Sequence, residues 1–291
     1  MPLKIITLAK QVPDTANITG DAMKPDGTVN RAALPAITNP EDLNALEEAL
    51  KIKETFGATI TTITLGPPGA VKTLKEALYR GANDAILITD PKFAASDTLA
   101  TSYALKCAVE KIGKFDLILC GRQAIDGDTA QVGPQLAQKL NINQLSNIIE
   151  IIQVSAKNIT VKRMIDGGTE VVKTALPALL TIITEANEPR SPSIKRVMLY
   201  KNIACKNSDA YDETYLDSAE KAEKKVCTHI KQWNADDIKA ELKRCGLSGS
   251  PTKVKKIENV VLTARNTRAI SNAENEIGAL IHELVSEHII G

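Results

Sequence analysis

The first two thirds of the chain alternates two hydrophobic patterns. Short runs rich in β-branched residues, at 5–9, 59–65, 85–89 and 117–120, predict buried strands. Between them lie amphipathic patterns typical of helices, at about 39–57, 70–79 and 96–112. Asn39 is predicted to cap the first helix with its side chain. This alternation predicts repeated βαβ units, and therefore an α/β fold built on a parallel sheet.

Residues 149–183 follow a different pattern, with β-rich runs at 149–154, 159–164, 169–174 and 179–183. These runs predict antiparallel strands added to one side of the parallel sheet. Asp166, Gly167 and Gly168 lie between the second and third runs and are residue types that supply the positive φ angles of a hairpin turn.

The pattern changes again at residue 187, where Pro189 and Pro192 impose an extended path before a charged stretch that reaches about residue 225. We predict a domain boundary here, with an α/β domain at 1–190 and a partner-contacting segment with a C-terminal arm at 191–291. A short helix is expected at 235–242.

A final helix is predicted near the end of the chain. Spacings of three and four residues place one stripe on a single face of it, formed by Ile270, Ala273, Ile277, Leu280, Leu284 and His288. The stripe requires a cover, which is either the parent domain or a different subunit.

Composition removes several function classes. There are 36 Lys and Arg against 35 Asp and Glu, so no positive surplus exists for nucleic acid or an anionic membrane. No apolar run approaches the length of a membrane span, and the start lacks a targeting pattern, so we expect a cytoplasmic protein without membrane insertion. The five cysteines are scattered without a C-x-x-C pair, which predicts reduced structural thiols and no metal site.

The most informative stretch is 117–135, where an apolar strand runs into a polar loop and then a helix. Ligands bind at such strand ends in open α/β sheets. Gly121 and Gly127 are expected to let the backbone approach a ligand. The amides of residues 128–131 are expected to point from the helix start toward a phosphate, with the Thr129 hydroxyl as a further donor.

Two acids in this loop need an explanation. Asp126 and Asp128 are expected to cap free amides at the helix start, and Arg122 to offset their charge. The loop matches neither G-x-G-x-x-G nor the P-loop, so an ordinary strand–loop–helix junction is the competing interpretation. Turns at 9–14, 38–40 and 65–67 are expected at the same edge of the sheet, as a shared nucleotide cleft requires.

Together these segments resemble the β subunit of electron-transferring flavoproteins, over roughly residues 3–200. The matching motifs lie at 10–14, 39–40 with 45–49, 65–67, 97–103, 120–134, 176–178 and 187–190. The resemblance implies a Rossmann-like fold of the adenine-nucleotide-binding type, paired with an α subunit that carries its own FAD. One branch of the family holds AMP in the β subunit, and the electron-bifurcating branch holds FAD. The loop at 126–134 looks like the bifurcating version.

The resemblance also implies site residues, none of which is an acid or base catalyst. The nucleotide-binding residues would be Leu8, Ala9, Asn39, Leu65, Gly66, Gly121, Arg122, Gln123, Ala124, Ile125, Asp126, Gly127, Asp128, Thr129, Ala130, Gln131, Val132 and Gly133. The residues contacting a flavin-dependent dehydrogenase would be Ile194, Val197 and Met198. Lys195 departs from the family pattern, in which a proline is common at this position.

In the bifurcating branch, the flavin accepts hydride from NADH and passes one electron to a high-potential acceptor and one to a low-potential carrier such as ferredoxin or flavodoxin. Three other functions stay open. The chain could be an AMP-containing scaffold, a nucleotide-hydrolysing enzyme of the pyrophosphatase-type ligase class, or a stress-type nucleotide-binding homodimer. The second would need a glycine-rich serine loop after the first strand, where residues 9–13 have none.

Overall fold

The computed structural model describes residues 2–14, 35–205, 229–252, 269–287 and 290. Its strands are β1 Lys4–Leu8, β2 Gln11–Pro13, β3 Ala36–Thr38, β4 Thr59–Leu65, β5 Asp84–Ile88, β6 Leu117–Gly121, β7 Asn143–Val154, β8 Asn158–Ile165, β9 Gly168–Ala175, β10 Ala178–Ile182 and β11 Lys231–Trp233. Its α-helices are α1 Pro40–Phe56, α2 Val71–Arg80, α3 Thr98–Ile112, α4 Val132–Leu140, α5 Ile194–Tyr200 and α6 Glu274–Ser286.

A nine-stranded sheet forms the centre of the fold, in the order β11-β5-β4-β1-β6-β10-β7-β8-β9. Every neighbouring pair from β11 to β7 is parallel, and β8 and β9 continue the sheet antiparallel. The predicted α/β class, with a parallel sheet and an antiparallel flank, is therefore confirmed. A separate antiparallel pair joins β2 and β3.

One predicted orientation is wrong. The run at 179–183 was expected to be antiparallel, but β10 is inserted between β6 and β7 and is parallel to both. The reason is visible in its burial, since all five of its residues are buried, as in strands covered on both faces. The strands that follow the prediction are β7, β8 and β9, whose hairpin turn has its positive φ at Gly167.

Successive strand residues face two separate hydrophobic cores. Ile5 and Leu117 pack with Leu46 of α1 and Leu74 of α2 on one face of the sheet. Their strand neighbours pack with α3 and α4 on the other face, in a cluster that includes Ile6, Ile118, Leu105 and Leu136. Because the side-chain period of a strand is two, the sheet separates the two cores.

The helix predicted at 235–242 is absent from the structure, which has turns at 235–239 and a 3-10 helix at Leu242–Arg244. Lys239 has a φ of 53°, in the left-handed region, and this interrupts any helix. The backbone instead makes tertiary hydrogen bonds. The amide of Ala235 donates to Asp90 Oδ2, and the amide of Glu241 donates to the Tyr103 hydroxyl.

The chain beyond residue 190 contributes to the same sheet. Strand β11 pairs with β5 at the edge, and Tyr200, Ile203 and Ile230 join the core on the side of α1. The predicted boundary at 190 stays a prediction. In the C-terminal helix α6, Ile277, whose exposed fraction is 40%, is among the exposed apolar side chains, while His288 lies outside the described residues.

The sequence predicted neither a metal site nor a membrane-spanning segment, and the described part of the chain can be searched for both. Four cysteines, Cys107, Cys120, Cys205 and Cys245, are buried free thiols there, and no group of His, Cys, Asp and Glu in it could hold a metal ion. None of the helices in that part of the chain has both the length and the apolar character needed to cross a bilayer.

Candidate functional site

A cleft of about 650 Å³ opens where the strands of the parallel sheet end, between the starts of α1 and α3 and the loop after β6. The chain passes from β1 to β4 and β5 on one side and then crosses back to β6 on the other side of β1. The cleft therefore lies at the point where the strand order reverses, which is where open α/β sheets bind their ligands. Its size falls within the range of small-molecule pockets, roughly 300–1,000 Å³.

The structure brings the predicted nucleotide-binding residues together around this cleft. All of them line it except Gly66 and Ile125. Gly66 instead donates its amide to the Ile88 carbonyl, and Ile125 donates its amide to Asn39 Oδ1. The segments at Leu8, Asn39 and Leu65 thus meet the loop after β6, although they are far apart in sequence.

Asn39 has a different role from the predicted one. It stands at the start of α1, but its side chain makes no capping hydrogen bond. Its Nδ2 donates to the Gln123 carbonyl at 2.8 Å, and its Oδ1 accepts from the Ile125 amide at 3.2 Å. Asn39 is fully buried and fixes the loop after β6 to the helix. The prediction of a side-chain cap is wrong because the loop offers it two backbone partners.

The two acids that follow Pro40 continue this attachment. Glu41 accepts from Arg122 Nη2 at 2.9 Å and from the Gln123 amide at 2.8 Å. Asp42 accepts from the Gly121 amide at 2.8 Å and from the Lys10 amide at 2.9 Å. Residues 39–42 therefore connect the ends of β1 and β6, and we call them the α1 clamp; Asn39 and Asp42 also line the cleft.

Asp42 is nearly inaccessible to water, with an exposed fraction of 7%. Burial raises the pKa of its carboxyl group from 3.8 to about 6, although hydrogen bonds from the Gly121 and Lys10 amides and from Asn39 act in the opposite direction. The neighbouring charge of Glu41 adds to the increase. A titratable group thus lies directly beneath the loop that was predicted to hold phosphate.

The loop acids do not cap helix α4. Asp126 instead forms an ion pair with Lys10, whose Nζ is 2.7 Å from Oδ1 and 2.8 Å from Oδ2. Asp128 accepts a hydrogen bond from Gln123 Nε2 at 2.9 Å. Arg122 was expected to offset these charges, but it pairs with Glu41. The capping prediction is wrong because α4 begins only at Val132, and the side chains of Asp126 and Asp128 do not bond to the amides of its first turn.

The loop offers a row of backbone donors. Among the described residues, no acceptor receives the amides of residues 129–133, whereas the Gly127 and Asp128 amides both donate to the Ala124 carbonyl. Asp128 has a φ of 49° and Ala130 a φ of 51°. The left-handed Ala130 is followed by Gln131 in right-handed helical conformation, and such alternation makes a concave, anion-binding backbone.

These two positive φ angles are unfavourable for residues with a side chain, by roughly 1–2 kcal/mol each. Their presence in one loop indicates that the surrounding contacts, including the α1 clamp, impose the loop conformation. The strain is concentrated where the free amides lie, which is typical of a ligand-binding segment.

The glycines of the loop act differently from one another. A Cβ on Gly121 would lie 2.7 Å from Glu41 Cβ and 2.8 Å from Asp42 Oδ1, so this glycine is needed for the approach of α1. A Cβ on Gly133 would lie 2.9 Å from Thr181 Cγ2. Gly127 has open space around it. The expectation of close ligand approach therefore suits Gly127, while Gly121 serves packing inside the protein.

The opposite wall comes from the start of α3. Asp97 caps this helix through the Ala100 amide and also accepts from the Thr252 amide, and these bonds hold its pKa low although partial burial acts in the opposite direction. The Thr98 hydroxyl donates to Gln131 Oε1 at 2.8 Å. This bond ties α3 to the loop after β6, so the loop is held on both sides of the cleft.

The residues present fit an adenine nucleotide. The amides of residues 129–133 supply unpaired donors for phosphate oxygens, and the apolar side chains of Leu8, Leu65 and Phe93 also line the cleft. Among the described residues that line the cleft, no side chain that could act as a nucleophile is paired with a side chain that could act as its base.

Sequence reasoning missed several residues of the site. Lys10, Glu41, Asp42 and Thr98 were assigned only to motifs or helix starts. For Glu41 and Asp42 the sequence did contain a signal. Both lie in the first turn of α1, which begins at the carboxyl edge of the sheet, where their carboxylates can accept hydrogen bonds from the amides of a neighbouring loop. Nothing local identifies Lys10 as the partner of Asp126, since 116 residues separate them.

The predicted dehydrogenase contacts lie away from the cleft, on helix α5. Ile194 has an exposed fraction of 82% and Met198 one of 59%, while Val197 is half-buried. An apolar side chain exposed to that extent on a short helix is available to another protein. The contact itself stays a prediction.

Comparison with known proteins agrees with this geometry. The model of the electron transfer flavoprotein domain matches residues 26–208. The electron transfer flavoprotein subunit beta of Clostridium acetobutylicum is 38% identical over 288 residues, which cover 99% of this chain and all of that protein.

Two further relatives carry names that link them to CoA reductases. Subunit CarD of the caffeyl-CoA reductase-Etf complex of Acetobacterium woodii is 38% identical over 290 residues. The acryloyl-CoA reductase electron transfer subunit gamma of Anaerotignum propionicum is 36% identical over 291 residues. Each alignment covers 99% of this chain and the whole of the relative.

Proposed function

The chain belongs to the family of electron transfer flavoprotein β subunits, and from that premise we propose that it holds FAD in the cleft and takes part in electron bifurcation. The observation that supports this most is the loop after β6, which combines a row of unpaired amides with an open, small-residue position at Gly127. A diphosphate needs donors along several consecutive residues, and residues 129–133 offer them.

The protein's own part in this function is binding and orientation. The α1 clamp and Thr98 hold the loop from both sides, so the amides are aligned before the nucleotide arrives. Lys10 places a positive charge at the rim of the cleft, where it neutralises Asp126 next to the phosphate position.

When bound by the amides of residues 129–133, FAD would supply the redox chemistry, namely uptake of hydride from NADH and transfer of single electrons to a high-potential and to a low-potential acceptor. The partners that we propose are the α subunit with its own FAD, a flavin-dependent dehydrogenase contacting α5, and ferredoxin or flavodoxin as the low-potential carrier. The names of two relatives place those proteins in CoA-linked reductase complexes, which supports an acyl-CoA dehydrogenase-type partner.

The direct experiment measures the nucleotide content of the purified assembly. The complex is denatured, and released FAD and AMP are separated and quantified per β chain. We expect FAD in both subunits and no AMP. AMP in this subunit would reduce its role to a scaffold for the α-subunit flavin, while the nucleotide-binding site would stand.

A variant tests the site. Asp128→Arg places a long cation at a left-handed loop position and breaks the bond from Gln123, so we expect most of the FAD of this subunit to be lost. Asp166→Arg makes the same charge change in the exposed β8–β9 turn and serves as the control. Equal FAD content in the two variants would contradict the assignment of the loop.

We further propose that helix α6 fastens this subunit to another chain of the complex. Its apolar side chains Ile277, Ile281 and Val285 follow one another at four-residue spacing and are all exposed. Deletion of residues 269–291 is expected to release the subunit from the assembly in size-exclusion chromatography without loss of its folded α/β domain. An unchanged elution profile would show that the helix does not hold the complex together.

A further inference from the structure

A second cavity, of about 430 Å³, lies on the opposite face of helix α3 from the nucleotide cleft. The cleft takes Thr98, Thr101 and Leu105 from this helix, whereas the second cavity takes Leu99 and Tyr103. Residues four apart share a helix face, so the two sets point in different directions. A ligand in the cleft therefore does not reach the second cavity.

Three cations converge on this cavity, which we call the basic pocket. Lys139 comes from the last turn of α4, and Lys243 and Arg244 come from the 3-10 helix, with the Ser248 hydroxyl nearby. Among the described residues, no carboxylate lies within ion-pair distance of any of the three. A concave surface lined by charges of one sign concentrates the electrostatic potential and attracts the opposite charge.

Arg244 differs from the other arginines that the structure describes. Arg80, Arg122, Arg163 and Arg190 each pair with a carboxylate. Arg196 donates to two backbone carbonyls. The Arg244 guanidinium instead lies 3.9 Å from the centroid of the Tyr103 ring, a contact that leaves its N–H groups available to a ligand.

The pocket is built from a compact loop. A Cβ on Gly249 would lie 2.0 Å from the carbonyl carbon of Arg244, so the chain folds back directly onto the arginine backbone. The Ser248 hydroxyl reaches the Cys245 carbonyl at 2.9 Å, and the Tyr103 hydroxyl accepts from the Glu241 amide at 3.0 Å. The cations are therefore presented from a backbone that is already in place, which favours binding of a ligand with a defined shape.

The cations also repel one another. The pKa of Lys139 is lowered by burial and then by the charge of Arg244, while Asp97 opposes the effect only weakly. An anion between the two would remove this repulsion.

We propose that the basic pocket binds a small phosphate-bearing anion, in a site separate from the nucleotide cleft. Arg244 offers a planar pair of donors that matches phosphate oxygens, and Lys139 and Lys243 add point charges. The segment that carries the pocket also joins the cleft. Ser250 Oγ accepts from the Asp97 amide, and the Thr252 amide donates to Asp97 Oδ2.

The experiment uses the purified assembly with its nucleotide bound and inorganic pyrophosphate as the probe, measured by isothermal titration calorimetry at low salt. We expect saturable binding that Arg244→Gln weakens roughly tenfold, the loss of one charge-assisted interaction. Lys157→Gln, in the turn between β7 and β8, removes an exposed lysine elsewhere and should leave the affinity unchanged.

Two further variants make the outcome decisive. Because Arg244 also covers Tyr103, Lys243→Gln tests the charge without disturbing that contact, and it should weaken binding as well. Lys139→Gln removes the cation that α4 contributes and should weaken binding in the same way. Absence of saturable binding in the unmodified protein would overturn the proposal. So would full affinity for pyrophosphate in all three pocket variants.

Discussion

The starts of α1 and α3 both face the nucleotide cleft, and each carries an acid that accepts backbone hydrogen bonds, but the acid of α1 is buried, the acid of α3 is half-buried, and the two act differently. At α3, Asp97 accepts from the Ala100 amide, three residues along its own helix, and its pKa is lowered. At α1, Asp42 accepts from the Gly121 and Lys10 amides, 79 and 32 residues away, and burial raises its pKa to about 6. Asp97 caps the start of its own helix, whereas Asp42 connects the ends of β1 and β6.

The difference shows how the cleft obtains its shape. A local cap stabilises only the element that carries it. The α1 clamp instead holds residues 121–125, which precede the left-handed positions Asp128 and Ala130 and the free amides beyond them. The binding loop therefore depends on the start of a helix from a different βαβ unit.

The largest expected effect comes from separating the clamp from the loop. Gly121→Ala places a Cβ 2.7 Å from Glu41 Cβ and 2.9 Å from the Glu41 backbone carbon, so α1 must move away from β6. Overpacking costs roughly 1–3 kcal/mol, and the strained bond from the Gly121 amide to Asp42 adds to it. We expect the free energy of unfolding to fall by about 4 kcal/mol, as measured by urea denaturation.

Gly127→Ala is the matched control for this substitution, since nothing lies within 4 Å of a Cβ there. Its stability should stay within roughly 0.5 kcal/mol of the unmodified protein. If both substitutions had the same small effect, the contact between Gly121 and α1 would have no importance for stability.

The number of residues that separate the two partners of a contact decides whether the sequence could predict it. The parallel strands β1, β4, β5 and β6 and the helices α1 to α3 were predicted correctly because hydrophobic period and capping act within a few residues. Asn39 was misassigned by the same reasoning. An asparagine before Pro40 has the sequence signature of a cap, but its partners at Gln123 and Ile125 are brought near only by the completed sheet.

The second prediction concerns pH. The pKa of Asp42 is about 6 in the folded protein against an ordinary 3.8, so the folded state binds this proton more tightly than the unfolded chain. The resulting stabilisation is complete below about pH 4 and is lost as the pH rises through 6. At about 1.4 kcal/mol for each pKa unit, the change is on the order of 3 kcal/mol.

Asp42→Asn removes this titration. Because other acids, such as Asp97, have lowered pKa values and act in the opposite direction, the informative quantity is the difference between the two proteins. The stability of the unmodified protein relative to Asp42→Asn should decrease between pH 4 and 6.5, measured by urea denaturation at each pH. A difference that stays constant with pH would show that Asp42 is not protonated more readily in the folded state.

The smallest effect, and the closest test of the comparison, pairs Asn39→Ala with Asp97→Ala. Asn39→Ala leaves the Gln123 carbonyl and the Ile125 amide without their buried partner, which we expect to cost about 2 kcal/mol of unfolding free energy. Asp97→Ala removes a helix cap, at a cost of about 1 kcal/mol.

The rate of nucleotide release should distinguish the two variants further. Of the two residues, only Asn39 holds the loop between β6 and the free amides. Nucleotide release from the purified assembly, followed during dilution, should therefore accelerate more in Asn39→Ala than in Asp97→Ala; the reverse order would mean that the α3 wall, and not the α1 clamp, controls the loop.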